Sequence, residues 1–449
     1  MNVILRGLRV IDPLQGIDRS GQDVWLRDGR IVAIDRRVNA NGVPVLDLAP
    51  PPGQSERVLC PGFIDLHAHL REPGEEKKET VNSGADAAAA GGFTQVVAMA
   101  NTKPPVDSVA RVGQARVRAA RARVRVLVAA ALTRALRGTQ LVDIAGCATA
   151  GAACFSDDGR NSMSEHVLTE GLRAAARTGR PVLVHPEDEA MIAASNPDMP
   201  SVVRCPERPV EAEVAAVTSA LRALEAAGTG HLHLQHVSAT PSVDLIRQAK
   251  ERGLQVTAEV TPHHLSMWQP FEEEPDPVSL RKVNPPLRSE LDRAAMVHAL
   301  RDGVIDAVAT DHAPHTAEDK VGDYADAAPG MIGLETALST CLSIGGMGGD
   351  WMPLLVARMV AGPYAVLGEG CGLRRPHLGV GDPANCTLFD PDATWTIGGR
   401  PFRSLSSNTP LHGFELRGRV LLTLVDGGVA YLETQESPAA GVVEAFGER

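Results

Sequence analysis

Residues 58–70 read VLCPGFIDLHAHL, an apolar, strand-like run that ends in two histidines. Seven similar runs follow along the chain: TQVVAMAN (94–101), VRVLVAAAL (124–132), AACFSDD (152–158), PVLVHPED (181–188), HLHLQHVSA (231–239), LQVTAEVTPHH (254–264) and VIDAVATDHAPH (304–315). Ala-rich stretches with helical periodicity separate them, and several end in the glycine typical of a helix C-terminus. Eight strands alternating with eight helices predict an α/β fold, a (β/α)8 barrel of the TIM type. A doubly wound open sheet is the structural alternative.

Both ends of the chain are rich in short strand patterns, whereas the middle is not. NVILRGLRVID (2–12) lies near the start, and FELRGRVLLTLVDGGVAYLE (414–433) lies near the end. The dipeptides Asp28-Gly29 and Asp426-Gly427 are typical of hairpin turns. We therefore predict a small β-sandwich domain built jointly by residues 1–60 and 371–449, flanking a barrel over residues 61–370.

Composition excludes several classes of protein. The 449 residues carry a formal net charge of −11, which disfavours binding to nucleic acid or to an anionic membrane surface. Arg6 and Arg9 interrupt the first apolar stretch, so it resembles neither a signal peptide nor a membrane span. The seven cysteines are scattered and form no CxxC motif, so buried reduced thiols are expected. These features predict a cytoplasmic protein.

Polar residues recur where the predicted strands end, which is where barrel enzymes carry their chemistry. The residues at these ends are His67, His69, Asn101, Asp157, Asp158, His185, His236, Asp311, His312 and His315. His67 and His69 are two positions apart, so both side chains leave the same face of a strand. Imidazole and carboxylate ligands without a thiolate are typical of a catalytic metal site with an open position for water.

His236 is the preferred ligand on its strand because it lies at the strand's end. Its spacing from His231 and His233 has the wrong parity for a regular strand, so the assignment requires a local bulge. The chain carries no GxSxG elbow, no GxxxxGK[ST] phosphate loop and no GxGxxG after a strand. Serine-hydrolase and nucleotide-dependent chemistries therefore have no support.

Several segments together resemble class I dihydroorotase, a family of the amidohydrolase superfamily. The segments are VLCPGFIDLHAHLREPG, MANTKPPVD, FSDDG, HPED, QHVSA, VTPHHL, VNPPLR, ATDHAPH and the C-terminal NTPLHGFELRGRVLLTLVDGG. PGFIDLHAH and ATDHAPH are shared with hydantoinases and allantoinases, whereas HLREPG, FSDDG and VNPPLR are more specific. The resemblance spans nearly the whole chain.

The resemblance implies an enzyme with two zinc ions per subunit that interconverts N-carbamoyl-L-aspartate and L-dihydroorotate in pyrimidine synthesis. Transferred residue by residue, it assigns His67, His69 and Asp311 to one zinc ion, His185 and His236 to the other, and Asp157 to both. Strand alternation lets only one of Asp157 and Asp158 face the metals, and the family pattern favours Asp157. A hydroxide activated by the two metals would be the nucleophile, with Asp311 as the proton shuttle.

The resemblance also implies a set of substrate contacts. Arg71, Asn101 and His315 would bind the α-carboxylate, and His69, Asn284 and the backbone at Pro329 and Gly330 would complete the site. An arginine beside the metal-binding histidines is suited to hold a carboxylate by two parallel hydrogen bonds. The expected partner is this small molecule, with no nucleic acid and no membrane. We also expect a homodimer, and association with aspartate transcarbamoylase stays open.

Two alternative functions remain. Hydantoinases and allantoinases generally bridge their metals with a carboxylated lysine from strand four, but no lysine lies between Lys103 and Lys250 here. A non-catalytic dihydroorotase-like partner of aspartate transcarbamoylase would have lost metal ligands, whereas this chain keeps every candidate. The missing lysine and the complete set of candidate ligands therefore favour the enzyme over both alternatives.

Overall fold

The computed structural model describes residues 1–161, 163–194, 208–269, 278–322, 324, 326–344, 350–434 and 446. Its strands are β1 (Asn2–Asp12), β2 (Ile17–Arg27), β3 (Arg30–Asp35), β4 (Val45–Asp47), β5 (Val58–Pro61), β6 (Phe63–Ala68), β7 (Phe93–Ala98), β8 (Arg125–Ala130), β9 (Ala152–Ser156), β10 (Val182–Val184), β11 (Leu232–Leu234), β12 (Val256–Val260), β13 (Ala307–Val308), β14 (Cys386–Thr396), β15 (Glu415–Val425) and β16 (Gly428–Leu432). Its α-helices are α1 (Val81–Ala90), α2 (Val109–Ala119), α3 (Ile144–Ala150), α4 (Glu165–Ala176), α5 (Glu189–Ala194), α6 (Val210–Ala227), α7 (Thr240–Glu251), α8 (Pro262–Ser266), α9 (Glu290–Asp302), α10 (Ala337–Leu342) and α11 (Trp351–Leu367). Short 3-10 helices lie at Arg134–Leu136, Val278–Arg281, Glu318–Lys320 and Glu369–Cys371.

Strands β6 to β13 form the predicted barrel. They pair in the order of the sequence, and their paired neighbours run parallel. The last strand meets the first through a parallel bridge between Ala68 and His312, where the His69 N–H donates to the His312 carbonyl at 2.8 Å. Because the ring closes, the barrel is confirmed and the open-sheet alternative is wrong.

Local sequence signals explain where many helices begin and end. Thr80, Ser108, Ser164 and Ser289 each accept a hydrogen bond at the N-terminus of the helix that follows, as preferred N-cap residues do. Gly303 ends α9 in the left-handed conformation that glycine adopts without strain. These signals set where the helices that connect the barrel strands begin and end.

Helix α11 was not among the helices expected from periodicity. It is apolar on most sides and buries Trp351, Leu355 and Met359, so it lacks the polar face that reveals a surface helix. It packs against β6 and β13, the two strands that close the ring. Its end contributes Val366 and Leu367 to the apolar cluster that contains Ile64 and Leu66 of β6.

The two terminal segments join in one connected mixed sheet, so both chain ends contribute to a shared β domain as expected, whereas its description as a β-sandwich stays a prediction. Its order is β16-β15-β14-β5-β1-β2-β3, with β4 paired to β1. Asp28 and Asp426 adopt positive φ at the two predicted hairpin turns. The sheet has its own apolar core, which includes Leu5, Leu26 and Leu388.

No helix in the described ranges combines the length and apolar character of a membrane span. Six cysteines are free and buried: Cys60, Cys147, Cys154, Cys341, Cys371 and Cys386. Cys205 lies outside the described residues. The expectation of buried thiols therefore holds for the described part of the chain.

Candidate metal centre and substrate site

The polar residues after the barrel strands converge at one end of the barrel. His67 lies in β6, and the others follow the ends of β6, β9, β10, β11 and β13. The converging residues are His67, His69, Asp158, His185, His236 and Asp311, and each has at most 7% of its surface exposed. Parallel strands bring their carboxyl ends to one rim, so residues far apart in sequence meet there.

The first group consists of His67, His69 and Asp311. The Oδ1 atom of Asp311 lies 3.5 Å from His67 Nε2 and 3.0 Å from His69 Nε2. Asp311 has a positive φ of 46°, an uncommon conformation for a residue other than glycine that is often found at functional sites. This turn lets the residue after β13 direct its carboxylate towards the two imidazoles.

The second group consists of Asp158, His185 and His236. His185 Nδ1 lies 2.9 Å from His236 Nε2, and the two nitrogens lie 3.7 and 3.8 Å from Asp158 Oδ1. Asp158 also contacts the first group, because its two oxygens lie 3.3 Å from His67 Nε2 and 3.4 Å from His69 Nε2. Asp158 therefore lies between the two groups.

The selection of Asp157 as the bridging residue is wrong in this structure. Its carboxylate accepts hydrogen bonds from the backbone N–H groups of Leu132 and Thr133, at 2.8 and 2.9 Å, and from the Thr133 hydroxyl. Asp157 therefore holds the loop after β8, while the next residue turns towards the histidines. Alternation correctly allowed only one aspartate at the cluster, but the family pattern selected the wrong one.

His236 reaches the cluster through a change of backbone direction. Strand β11 ends at Leu234, and His236 has a positive φ of 33°. Regular alternation therefore stops before His236, which removes the parity conflict with His231 and His233. The irregularity that the assignment required is a left-handed turn just beyond the strand.

Three of the four candidate histidine ligands also make a hydrogen bond through the ring nitrogen that would not bind the metal. The pairs are His67 Nδ1 with Glu259 Oε1 at 2.8 Å, His69 Nδ1 with Asn101 Oδ1 at 3.0 Å, and His185 Nε2 with Glu187 Oε2 at 2.8 Å. Such partners fix the tautomer and the plane of a ligating histidine. Glu187 is in turn bound by the guanidinium of Arg208.

The electrostatics of the cluster favour a cation. Burial alone would raise the pKa of Asp158, but the His67 imidazole and the neighbouring rings of His185 and His236 hold that pKa well below its usual range. Burial likewise opposes ionisation of Asp311, yet His67 and His69 lower its pKa. Burial lowers the pKa of His67, whereas Asp158 and Asp311 raise it well above its ordinary value. Two ionised carboxylates facing imidazole nitrogens create the negative potential that a metal ion requires.

The donor set fits a metal such as zinc. Within the described residues, two overlapping sets of three residues have ligand atoms within 4.8 Å of one another. They are His67, Asp158 and His236, and His67, His69 and Asp311. His67 Nε2 and Asp158 Oδ1 are buried without a hydrogen-bond partner in the part of the chain described. Buried polar atoms normally have such partners, so a ligand role accounts for both. Nitrogen and oxygen donors without sulfur are typical of catalytic zinc.

Arg71 and His315 lie together beside the cluster. Arg71 Nη2 is 3.4 Å from His315 Nε2, and Arg71 Nε donates to the Pro314 carbonyl at 3.2 Å. The Pro329 carbonyl lies 2.9 Å from the same nitrogen of His315. Burial first, and then Arg71, lowers the pKa of His315 to about 3. His315 is therefore neutral at pH 7, and Arg71 supplies the positive charge.

The other predicted substrate residues lie in two places, with Asn101 in the metal cluster and Asn284 and Gly330 on two segments joined by a backbone hydrogen bond. Asn101 bridges His69 to Asp158, and its amide nitrogen is 3.3 Å from Asp158 Oδ2. Asn284 is half-buried on the segment after the 3-10 helix Val278–Arg281. Gly330 is joined to that segment because its N–H donates to the Lys282 carbonyl at 2.7 Å.

Asn408 supports the substrate loops from the C-terminal part of the chain. Its amide nitrogen donates to the carbonyls of Ala313 and Gly330, both at 3.1 Å, and its oxygen accepts from the His315 N–H at 3.0 Å. Sequence reasoning did not identify Asn408 as a site residue, since no local pattern links it to the barrel. It also missed Glu259, although a glutamate within the apolar strand β12 was a usable signal.

Solved structures of hydantoinases share this fold. The L-hydantoinase (dihydropyrimidinase) from Arthrobacter aurescens superposes with a TM-score of 0.81 at 25% identity, covering 98% of each chain. A D-hydantoinase from Bacillus sp. AR9 has a TM-score of 0.82 at 23% identity, covering 98% of this chain and 97% of that one. The closed barrel, the terminal sheet and the histidine–aspartate cluster define the class as the amidohydrolase superfamily, whose members depend on metal ions.

Sequence comparisons narrow the class to one family. The family model described as dihydro-orotase-like matches residues 56–240. The dihydroorotase of Macrococcus caseolyticus is 37% identical over 442 residues, covering 97% of this chain and all of that protein. The dihydroorotase of Syntrophus aciditrophicus is 38% identical over 440 residues, covering 96% of this chain and all of that protein. The chain belongs to the dihydroorotase family.

Proposed function

We propose that this protein is a dihydroorotase that cyclises N-carbamoyl-L-aspartate to L-dihydroorotate, and reverses that reaction, in the de novo synthesis of UMP. The observation that carries the proposal is the Arg71–His315 contact of 3.4 Å beside the histidine–aspartate cluster. A guanidinium next to a metal site suits a substrate that combines a cyclic amide with a free carboxylate. Family membership over nearly the full chain supports the same activity.

The site residues suit two zinc ions. His67, His69 and Asp311 would hold one ion, His185 and His236 the other, and Asp158 would contact both. Bound zinc would supply a hydroxide nucleophile at neutral pH and polarise the carbonyl that is attacked. The position of Asp158 between the two groups supports this assignment.

Asp311 is the residue assigned to proton transfer. Its carboxylate lies just beyond β13, 3.0 Å from His69 Nε2, where it can accept the proton of the hydroxide nucleophile and deliver it to the departing ring nitrogen. In the cyclising direction it removes the proton from the ureido nitrogen. Arg71, Asn101 and His315 bind the α-carboxylate, and Asn284 with the backbone of Pro329 and Gly330 orients the ring.

The hydantoinase alternative is disfavoured by the acidic residue at the end of β9. Asp158 lies where a bridging group is required, and no lysine occurs between Lys103 and Lys250. A carboxylated lysine from this strand is therefore unavailable. The non-catalytic alternative is disfavoured because all six candidate ligands are present and buried.

One experiment tests the proposal: turnover of L-dihydroorotate, hydantoin and allantoin, with metal analysis of the same sample. We expect turnover of L-dihydroorotate alone and bound zinc close to two ions per chain. Preferred turnover of hydantoin or allantoin would transfer the assignment to the alternative enzymes. A protein with neither zinc nor turnover would support the non-catalytic reading.

Cytoplasmic location and a homodimer belong to the same proposal. The net charge of −11 supports a protein that acts on a small substrate, away from nucleic acid and anionic membranes. Light scattering would test the dimer. Co-purification with aspartate transcarbamoylase would test that association.

A further inference from the structure

A fully buried carboxylate lies directly behind the metal cluster. Glu259, on β12, has no exposed surface. Its Oε1 atom is 2.8 Å from His67 Nδ1, and its Oε2 atom is 3.0 Å from His233 Nε2. Both histidines are also fully buried. One glutamate therefore connects a candidate metal ligand to a histidine deeper in the barrel.

The hydrogen bonds around Glu259 form a chain with one consistent direction. An ionised carboxylate can only accept, so His67 carries its proton on Nδ1 and His233 carries its proton on Nε2. His233 Nδ1 can then accept from the Thr257 hydroxyl at 2.9 Å. The same hydroxyl accepts from His231 Nε2 at 2.8 Å. Each of these four contacts therefore joins one donor to one acceptor.

Gln235 also approaches His67, but it does not change this assignment. Its amide nitrogen is 3.2 Å from His67 Nδ1, which is longer than the 2.8 Å contact with Glu259. The amide nitrogen donates to the Met99 sulfur at 3.6 Å instead. The Nδ1 proton of His67 is therefore directed at the glutamate.

We propose that Glu259 is a positioning residue for metal binding, which fixes His67 in the tautomer whose Nε2 lone pair faces Asp158 and Asp311. His233 and Thr257 act through Glu259 by holding its carboxylate in place. This inference rests on the proposed function, because it concerns the zinc ion that His67 would bind. It assigns a role to residues that do not themselves face the substrate.

The ion-pair partners of Glu259 indicate that it positions the His67 imidazole and does more than stabilise the fold. A buried carboxylate is costly unless it is compensated, and the ion-pair partners of Glu259 in the described chain are His67 and His233. Glu187, behind His185, is bound by Arg208 as well. The negative charge of Glu259 therefore acts mainly on the two imidazoles, one of which is the candidate ligand.

The test compares two substitutions of buried carboxylates. Glu259→Gln keeps the shape but removes the charge and one acceptor. Asp12→Asn does the same to a carboxylate of the terminal sheet that accepts from Leu14, Gln15 and Leu378 backbone N–H groups. Zinc affinity is measured by competition with a chromophoric chelator, and thermal unfolding of the metal-free proteins is measured in parallel. We expect a loss of about 10- to 100-fold in zinc affinity for Glu259→Gln and none for Asp12→Asn.

His233→Asn provides the second readout. It should weaken zinc binding less than Glu259→Gln does, and the double variant should bind zinc no more weakly than Glu259→Gln alone. If Glu259→Gln does not fold, unchanged zinc affinity in His233→Asn overturns the inference, and reduced affinity supports it.

The remaining outcomes separate this inference from the proposed function. Wild-type protein that binds zinc and turns over dihydroorotate, with unchanged affinity in Glu259→Gln, overturns the positioning role alone. Equal losses in Glu259→Gln and Asp12→Asn also overturn it, since they would reflect general destabilisation. Wild-type protein without zinc and without turnover contradicts the proposed function.

Discussion

Asp158 Oδ1 lies 3.3 Å from His67 Nε2, and neither of these buried atoms has a hydrogen-bond partner in the described chain. Asp157, the preceding residue, has its carboxylate bonded to Leu132 and Thr133 instead. We therefore expect Asp158→Ala to lose at least one zinc ion per chain and Asp157→Ala to retain both. Metal analysis after dialysis checks this. Loss of metal from Asp157→Ala alone would restore the original assignment.

Asp311→Asn should reduce kcat by about 10²- to 10⁴-fold, the range typical of general acid–base catalysis. Asparagine keeps the shape of the side chain but cannot accept and return a proton. Because Asp311 is also a candidate ligand, kcat must be compared at equal zinc content. Near-normal kcat in a fully metallated variant would exclude Asp311 as the proton shuttle.

Arg71→Lys should raise KM for L-dihydroorotate by about 10- to 100-fold, because charge-assisted hydrogen bonds contribute roughly 1.5–3 kcal/mol. Lysine keeps the charge but loses the planar pair of donors. Arg123→Lys is a suitable control, since Arg123 is 63% exposed and pairs with Asp86 on the surface. A KM equal to that of the control would place Arg71 outside the substrate site.

Asn408→Ala should raise KM while leaving zinc content unchanged. The substitution removes the hydrogen bonds that join the backbone at Ala313, His315 and Gly330, and it should destabilise the fold by about 1–3 kcal/mol. Asn385→Ala removes comparable bonds in the terminal sheet and should leave KM unchanged. Matching KM values in the two variants would refute the supporting role of Asn408.

His231 predicts acid sensitivity of the metal-free protein. Burial, together with His233 and Lys250, lowers the pKa of His231 from 6.5 to about 4. The unfolded chain then binds this proton more readily than the folded one, so the free energy of unfolding falls as the pH drops from about 6.5 towards 4. In urea titrations, the stability advantage of wild type over His231→Gln should shrink between pH 7.5 and pH 5. A pH-independent difference would exclude this titration.

The sequence predicted the barrel well because its information is local and repeated. Each apolar run with a polar end marks a strand, and the cap residues such as Thr80 and Ser289 mark helix starts. The candidate ligands His67, His69 and Asp311 could be identified from the sequence because each lies at a strand end, and strand ends meet on one rim of a barrel. Helix α11 was not predicted because an apolar helix has no polar face, and its sequence therefore shows no helical periodicity.

What the sequence could not resolve depends on backbone direction over one or two residues. Asp157 and Asp158 have the same chemistry, and only the course of the chain beyond Ser156 decides which one faces the histidines. His236 reaches the cluster through a left-handed residue that strand periodicity cannot represent. The support from Asn408 depends on a contact across 93 positions of the chain, for which local patterns carry no information.

The contact between Asn408 and the substrate loops sets the order in which parts of the site can form during synthesis. Synthesis runs from the N-terminus, so a nascent chain contains all eight barrel strands and every candidate metal ligand well before it contains Asn408. Until then, the loops at Ala313 and Gly330 lack the amide that joins them. The metal ligands can therefore come together before the substrate loops are fixed. Fixation of those loops requires the C-terminal segment that carries Asn408.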